Sequence, residues 1–275
     1  MADWSISDGQ FATGLTTVND RSDGCGLYVD GSGTANVKSS WVEMIASTDY
    51  EYNGFVFTFC RNYISTALPF LIDVAIGASG SEEIILENLI LNSGSGSGNS
   101  FFVPLKLSAG TRIAVRCQIA SGTKYALFCS ILGVSGGFLS LPATSKIITL
   151  GADTSDSGGT GIDPGGVADT KGSYTEIESS TPYPIRSIAI AFGGKGTSRD
   201  TVGWLFDIAV GSEGNEEIIV SDILVLSSLN EVISPTYLPF IQISIPAGSR
   251  ISVRCESTTT HGTYRLLDVI LYGGL

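Results

Sequence analysis

Charge is scarce in this chain: Asp, Glu, Lys and Arg together make up 15% of its 275 residues. The long Ala/Glu/Lys/Leu stretches of a helical protein are missing, which excludes an architecture of amphipathic helices. His261 is the only histidine, so chemistry that needs an imidazole beside a nucleophile has one place to stand. The five cysteines, Cys25, Cys60, Cys117, Cys129 and Cys255, are odd in number and have no CxxC spacing. That pattern argues against a disulfide framework and a thiolate zinc site, and points to a reducing cytoplasm. Cys117 and Cys255 each sit in an alternating apolar segment and read as buried free thiols. The formal net charge is −12, so neither nucleic acid nor an anionic membrane is expected as a partner. Met1-Ala2-Asp3-Trp4 lacks a basic region with an apolar run behind it, and no segment is apolar for long enough to span a bilayer. Neither a secretory signal nor a membrane anchor is therefore expected.

What is present is glycine, 34 residues, with abundant Val, Ile, Thr, Tyr and Phe. This is the composition of short strands joined by turns. The sequence is also repeated. Asp30-Gly31-Ser32-Gly33-Thr34-Ala35-Asn36-Val37-Lys38 returns as Asp163-Pro164-Gly165-Gly166-Val167-Ala168-Asp169-Thr170-Lys171. Trp41-Val42-Glu43-Met44 returns as Tyr174-Thr175-Glu176-Ile177, and Leu71-Ile72-Asp73-Val74-Ala75-Ile76-Gly77 as Leu205-Phe206-Asp207-Ile208-Ala209-Val210-Gly211. Gly80 to Ile85 matches Gly214 to Ile219, and Ala109 to Cys117 matches Ala247 to Cys255. Matches in one order along most of each half mean a duplication.

The repeated unit reads as strands. Phe55 to Phe59 and Ile188 to Phe192 alternate large and small side chains, and Ile113, Val115 and Cys117 share one face of their segment. Each copy ends in an apolar strand, Tyr125 to Leu132 and Tyr264 to Tyr272, and Ile245-Pro246-Ala247-Gly248 reads as a turn. The expected fold is all-β: two tandem jelly-roll-like antiparallel β-sandwich domains, residues 1–135 and 136–275.

Candidate chemistry is thin. His261 reads as an exposed turn residue. Gly133-Val134-Ser135-Gly136-Gly137 fits G-x-S-x-G, but no helix follows it and it reads as a linker. Gly193 to Ser198 lacks the spacer and helix of a phosphate loop and reads as a hairpin loop. Asp20, Asp23 and Asp30 recur at the same spacing as Asp153, Asp156 and Asp163; they suit either Asx-turns or an oxygen-ligand calcium site. Glu43, Asp73, Arg112 and Arg116 recur as Glu176, Asp207, Arg250 and Arg254. Asp73 interrupts an apolar strand and needs a counter-charge, so cross-strand pairs Asp73–Arg116 and Asp207–Arg254 are predicted. No catalytic, cofactor-binding or metal-binding residue is assigned, no cofactor is called for, and an enzyme is not expected.

The segments Asp207 to Gly211, Glu216 to Ile219 and Ile245 to Ile251, with their counterparts Asp73 to Gly77, Glu82 to Ile85 and Ala109 to Ile113, resemble β-sandwich proteins of tailed bacteriophages. The resemblance implies a virion structural component made in the bacterial cytoplasm, such as a capsid decoration (cement) or accessory protein binding coat or tail subunits. The alternative is a tail or fibre receptor-binding or carbohydrate-binding module for a host-surface glycan, with the paired aromatics Trp41/Tyr174 and Tyr50/Tyr183 either exposed or in the core. The duplication suggests a homo-oligomer, and a trimer would set six similar domains about one axis.

Overall fold

The computed structural model describes residues 11–14, 26–61, 68–93, 98–135, 144–194, 202–227 and 236–275. Every regular element among them is a strand. The first half supplies β1 (Phe11–Gly14), β2 (Leu27–Asp30), β3 (Val42–Ile45), β4 (Gly54–Arg61), β5 (Leu68–Ile76), β6 (Glu83–Ser93), β7 (Gly98–Val103), β8 (Ile113–Ile119) and β9 (Ala126–Ser135). The second half supplies β10 (Ile147–Leu150), β11 (Ala152–Asp153), β12 (Gly158–Ile162), β13 (Thr175–Glu178), β14 (Ile185–Gly194), β15 (Val202–Val210), β16 (Glu217–Ser227), β17 (Thr236–Ile245), β18 (Ile251–Ser257) and β19 (Leu267–Gly274).

In each half two sheets enclose a core. One sheet of the first half runs β3-β8-β5-β6; in the other, β9 pairs with β1, β2 and β4, and β4 pairs with β7. The second half repeats this as β13-β18-β15-β16 against a sheet in which β19 pairs with β10, β12 and β14, and β14 with β17. The fold is all-β, with two jelly-roll-like sandwiches. Period two decides what each strand buries. Phe55, Phe57 and Phe59 of β4 are buried while Val56 and Thr58 between them are half-buried. Full burial of each such ring contributes about 2–3 kcal/mol. Ile113, Val115 and Cys117 point into the first core, and Ile251, Val253 and Cys255 into the second.

Two expected loops turn out to be strand. Gly133, Val134 and Ser135 belong to β9, where they pair with β1 and β4, because the apolar alternation of that strand runs past Leu132. Gly193 and Gly194 close β14, opposite Asp268 and Leu267 of β19. They do not open a hairpin, since β14 and β15 lie in different sheets. Gly136, Gly137 and residues 195–198 lie outside the described residues, and with 136–143 undescribed so does the expected break after residue 135.

The halves meet edge to face. In the second half β14 sends Ile188, Ile190 and Phe192 into its own core, while Ala189 and Ala191 on the opposite face pack with Phe240, Ile270 and Tyr272 against the first core. These small and flat residues cover the open edge of β6, where Ile147 of β10 makes a parallel bridge to Leu86. The Tyr272 hydroxyl accepts a hydrogen bond from the Ile90 N–H at 2.9 Å and donates to the Asn88 carbonyl at 3.0 Å. The Thr149 hydroxyl donates to the Glu87 carbonyl. Beyond β6, the Gln118 amide donates to the Thr154 carbonyl and the Ser157 hydroxyl, at 3.0 and 3.1 Å, and Ser157 donates to Asn36 Oδ1 at 2.7 Å. The seam is thus apolar at its centre and hydrogen-bonded along the exposed backbone of an edge strand.

Burial pushes the Tyr272 phenol well above its ordinary range, so it stays a donor at any working pH. Tyr272→Phe keeps the ring and removes only the oxygen, leaving two buried backbone groups of β6 short of a partner. A loss of about 2 kcal/mol is expected, read as a lower urea midpoint with an unchanged slope. An unchanged midpoint would show that the seam does not need the hydroxyl.

Candidate functional site

The side chains kept in both copies gather on the β3-β8-β5-β6 sheet and on its repeat. Asp73 sits on β5 directly opposite Arg116 of β8. On its other side the β5–β6 register slips between Ile72 and Val74, so one ladder bond of β6 is lost and Asn88 takes a left-handed backbone, φ 53°. The fully buried Asp73 carboxylate fills the gap: Oδ1 accepts from the Asn88 N–H at 2.9 Å and from Lys38 Nζ at 2.6 Å, and Oδ2 accepts from Arg116 Nε at 2.8 Å. Lys38 Nζ also donates to Asn88 Oδ1 at 2.8 Å. The Arg116 guanidinium lies 4.4 Å from the centre of the Trp41 ring. A carboxylate removed from water is costly unless its lone pairs are taken; here two cations and a backbone amide take them.

The second copy builds the same cluster. Asp207 is opposite Arg254 and accepts from Arg254 Nε at 2.9 Å, Lys171 Nζ at 3.0 Å and the Asp222 N–H at 3.1 Å. Arg254 lies 4.7 Å from the centre of the Tyr174 ring. The predicted pairs Asp73–Arg116 and Asp207–Arg254 therefore exist, and the lysines complete them. The other repeated charges form a second tie. Arg112 donates to Glu43 at 2.7 Å, to Glu82 at 3.3 Å and to the Gly77 carbonyl at 2.9 Å, and Arg250 does the same with Glu176, Glu216 and Gly211. Each arginine pins the turn between β5 and β6, or β15 and β16, to the far strand. Gly77 turns at φ 101° with Ser81 O only 2.8 Å from where a Cβ would stand, which is why that turn keeps glycine.

Burial and one substitution separate the clusters electrostatically. Lys38 faces neutral Asn88, and desolvation by burial outweighs the attraction of Asp73, so its pKa falls below 10.5. Lys171 is desolvated as well, but its hydrogen bonds to Asp207 and Asp222 together prevail and its pKa rises. Asp207 is pushed up by desolvation, and its bonds from Lys171, the Asp222 amide and Arg254 outweigh that, holding it below 3.8.

The remaining candidates are accounted for locally. His261 is exposed in a turn, stacked on Tyr264 at 3.8 Å. Cys117, Cys129 and Cys255 are buried, and burial pushes the Cys117 and Cys255 thiols up to about 12, out of reach as nucleophiles. Asp153 accepts from Ser155, Asp156 from the Gly158 N–H, and Asp163 from the Gly165 N–H and from Arg265. The contacts two residues on are Asx-type, and Arg265 forms an ion pair with Asp163; Asp20 and Asp23 lie outside the described residues. Trp41 and Tyr174 are half-buried beneath their arginines, whereas Tyr50 and Tyr183 are exposed rather than in the core. Two grooves run along the seam. One of about 630 Å³ is lined by Asn88, Thr149, Asp153, Thr160 and Glu178; the other, of about 540 Å³, brings Glu82 and Glu87 of the first half near Lys146 and Glu178 of the second.

No protein-family model matches the sequence, and no curated protein matches it. Solved structures match in shape. PNGF-II is 9% identical with a TM-score of 0.39, covering 96% of this chain and 65% of its own, so the chain spans less than two thirds of that protein. PNGase F of Flavobacterium meningosepticum, a glycosylasparaginase, is 10% identical with a TM-score of 0.38 and 96% of each chain covered. The CBM22-1-CBM22-2 tandem of Paenibacillus barcinonensis Xyn10C is 11% identical with a TM-score of 0.28, covering 98% of this chain and 93% of its own. The Gx strain of infectious bursal disease virus is also 11% identical, with a TM-score of 0.22, covering 97% of this chain and 76% of its own. The tailed-phage resemblance gains nothing from them beyond the sandwich fold. The expectation that the chain is not an enzyme is corrected here, since a glycosylasparaginase stands among the matches. The expectation rested on the lack of a linear motif, and carboxylates assembled from separate strands leave none.

Asp73→Asn leaves Lys38 and Arg116 without their counter-charge and should cost about 3 kcal/mol in a denaturant titration. For Asp207 the folded pKa is depressed, so its stabilisation is present above 3.8 and is lost as pH falls through the folded value. The stability gap between wild type and Asp207→Asn should therefore be constant near neutrality and shrink below about pH 4; a gap independent of pH would mean the carboxylate is not held ionised.

Proposed function

We propose that the chain is a structural component of a tailed-bacteriophage particle, of the decoration or accessory kind, that holds coat or tail subunits through the faces and edges of its sheets. One observation carries the reading: the charges kept in both copies are turned on one another, while several exposed strand positions carry large apolar side chains. Glu43, Asp73, Arg112 and Arg116, with their counterparts, tie strands together within each sandwich. Leu132, Ile218, Leu224, Leu226 and Ile241 are exposed on β9, β16 and β17. Duplication has thus preserved a frame, and the surface it presents suits a protein partner. The resemblance of the repeated strand and turn segments to tailed-phage sandwiches supports the same reading.

A second reading, a glycan-binding module, is favoured by Tyr50 and Tyr183, equivalent in the two copies and both exposed. Trp41 and Tyr174 serve it less well, because an arginine already occupies a face of each ring.

The virion reading is tested on density-purified particles from the host that carries the gene. Mass spectrometry should find the chain in fixed ratio to the major coat protein, and mild denaturant should release it before the coat. Particles free of the chain, with binding on a glycan array that Tyr50→Ala or Tyr183→Ala abolishes, would replace the first reading by the second.

A further inference from the structure

The seam inside the chain has an unused counterpart. On β6 the outward positions Asn88 and Ile90 are buried because the second half covers them. The same positions on β16 are Asp222 and Leu224. There Asp222 is exposed, and Leu224 is 58% exposed, beside Leu226 at 63% and Ile218 at 43%. β16 is the last strand of its sheet, paired with β15 alone among the described residues. An extended, apolar, open strand edge is a template for another chain's sheet.

The matching surface also recurs. The cover over β6 is the outer face of the β10-β19-β14-β17 sheet, carrying Ala189, Phe240, Ile270 and Tyr272. In the first half the equivalent face belongs to β1-β9-β4-β7. Pairing registers make Val56 the counterpart of Ala189 and Leu132 the counterpart of Tyr272, since each pair sits opposite one another across its strands. Phe102 of β7 stands next to Val56 as Phe240 stands near Ala189. Leu132 is exposed, and Val56 and Phe102 are half-buried. β1 holds the place beside β9 that β10 holds beside β19.

We infer that a second copy of this chain docks on β16, laying the β1-β9-β4-β7 face of its first half over the β16 edge as the second half of each chain lies over β6. The occupant is argued from continuity with the contact already made within one chain: the same edge, on a repeat of the same sandwich, meets a repeat of the same face. The contact is heterologous, head to tail, so copies add in one direction until a ring closes or a filament forms. The inference does not depend on the virion reading, because it concerns only the chain's contact with itself.

The test uses the full chain and two exposed positions at opposite ends of the contact. Leu224→Arg spoils the edge and leaves the face; Leu132→Glu spoils the face and leaves the edge. Light scattering should give an oligomer for wild type and a monomer for each variant, with circular dichroism and melting temperature unchanged. An equal mixture of the variants should give a dimer and nothing larger, because one intact edge then meets one intact face. A wild type that is monomeric at its highest soluble concentration leaves β16 to a partner of another sequence and overturns the inference. So does an oligomer that survives Leu224→Arg, or a mixture that stays monomeric.

Discussion

A single residue, Asn88, holds three parts of the molecule together. Its N–H donates to the buried Asp73 carboxylate, its side-chain oxygen accepts from Lys38, and its carbonyl accepts from the Tyr272 hydroxyl of the other half. The arrangement begins with a local misfit. The β5–β6 ladder slips by a residue, the freed amide needs an acceptor, and an aspartate on the neighbouring strand supplies one. Once that carboxylate is buried, Arg116 and Lys38 must approach it, which draws the segment before β3 across the sheet. The same slip turns the Asn88 carbonyl outward, where Tyr272 can reach it. A bulge, a charge cluster and the contact between halves are therefore consequences of one irregularity.

Where the two copies agree, the sequence was readable. A charge in the middle of Leu71 to Ile76 and again in Leu205 to Val210 demands a partner, and Arg116 and Arg254 lie at the matching place on a strand of the same period. The fold class followed from the same agreement, since alternation and glycine breaks survive in both copies. Lys38 and Lys171 were harder to place. Each ends a matched loop segment, but it stands 35 or 36 residues from the aspartate it meets, and a loop offers no period from which a direction can be read. Asn88 and Asp222 were missed for a different reason: they differ, and their left-handed backbone, φ 53° in both, tolerates either residue.

Where the copies disagree, the sequence carried the information about the seam, though nothing in one chain says how to use it. Val56 against Ala189, Leu132 against Tyr272 and Ile90 against Leu224 are unremarkable as pairs of β-strand residues. Placed on the fold they separate covered from open. A face that must lie flat on an edge strand has exchanged Val for Ala and acquired a phenol with an oxygen to bond the backbone below it. The buried edge has Asn beside its lysine, and the open edge has Asp, whose charge water can share. Lys38, the more deeply buried, has its pKa lowered because desolvation prevails, whereas the bonds of Lys171 to Asp207 and Asp222 outweigh its desolvation and raise it.

A duplicated sandwich whose second copy covers the edge of its first leaves, by geometry alone, one edge and one face unused at opposite ends. Natural proteins guard such edges with charge, proline or a bulge that twists the strand away. β16 has the bulge and Asp222, yet beyond them it carries Leu224 and Leu226 outward with no charge between. Nothing inside the sandwich requires leucine at these outward positions, where a polar residue would serve as well. Leu226 stands instead where the covered copy has Asn92, so the open edge is the more apolar of the two at that position. An edge that is apolar where water reaches it suits contact with another chain.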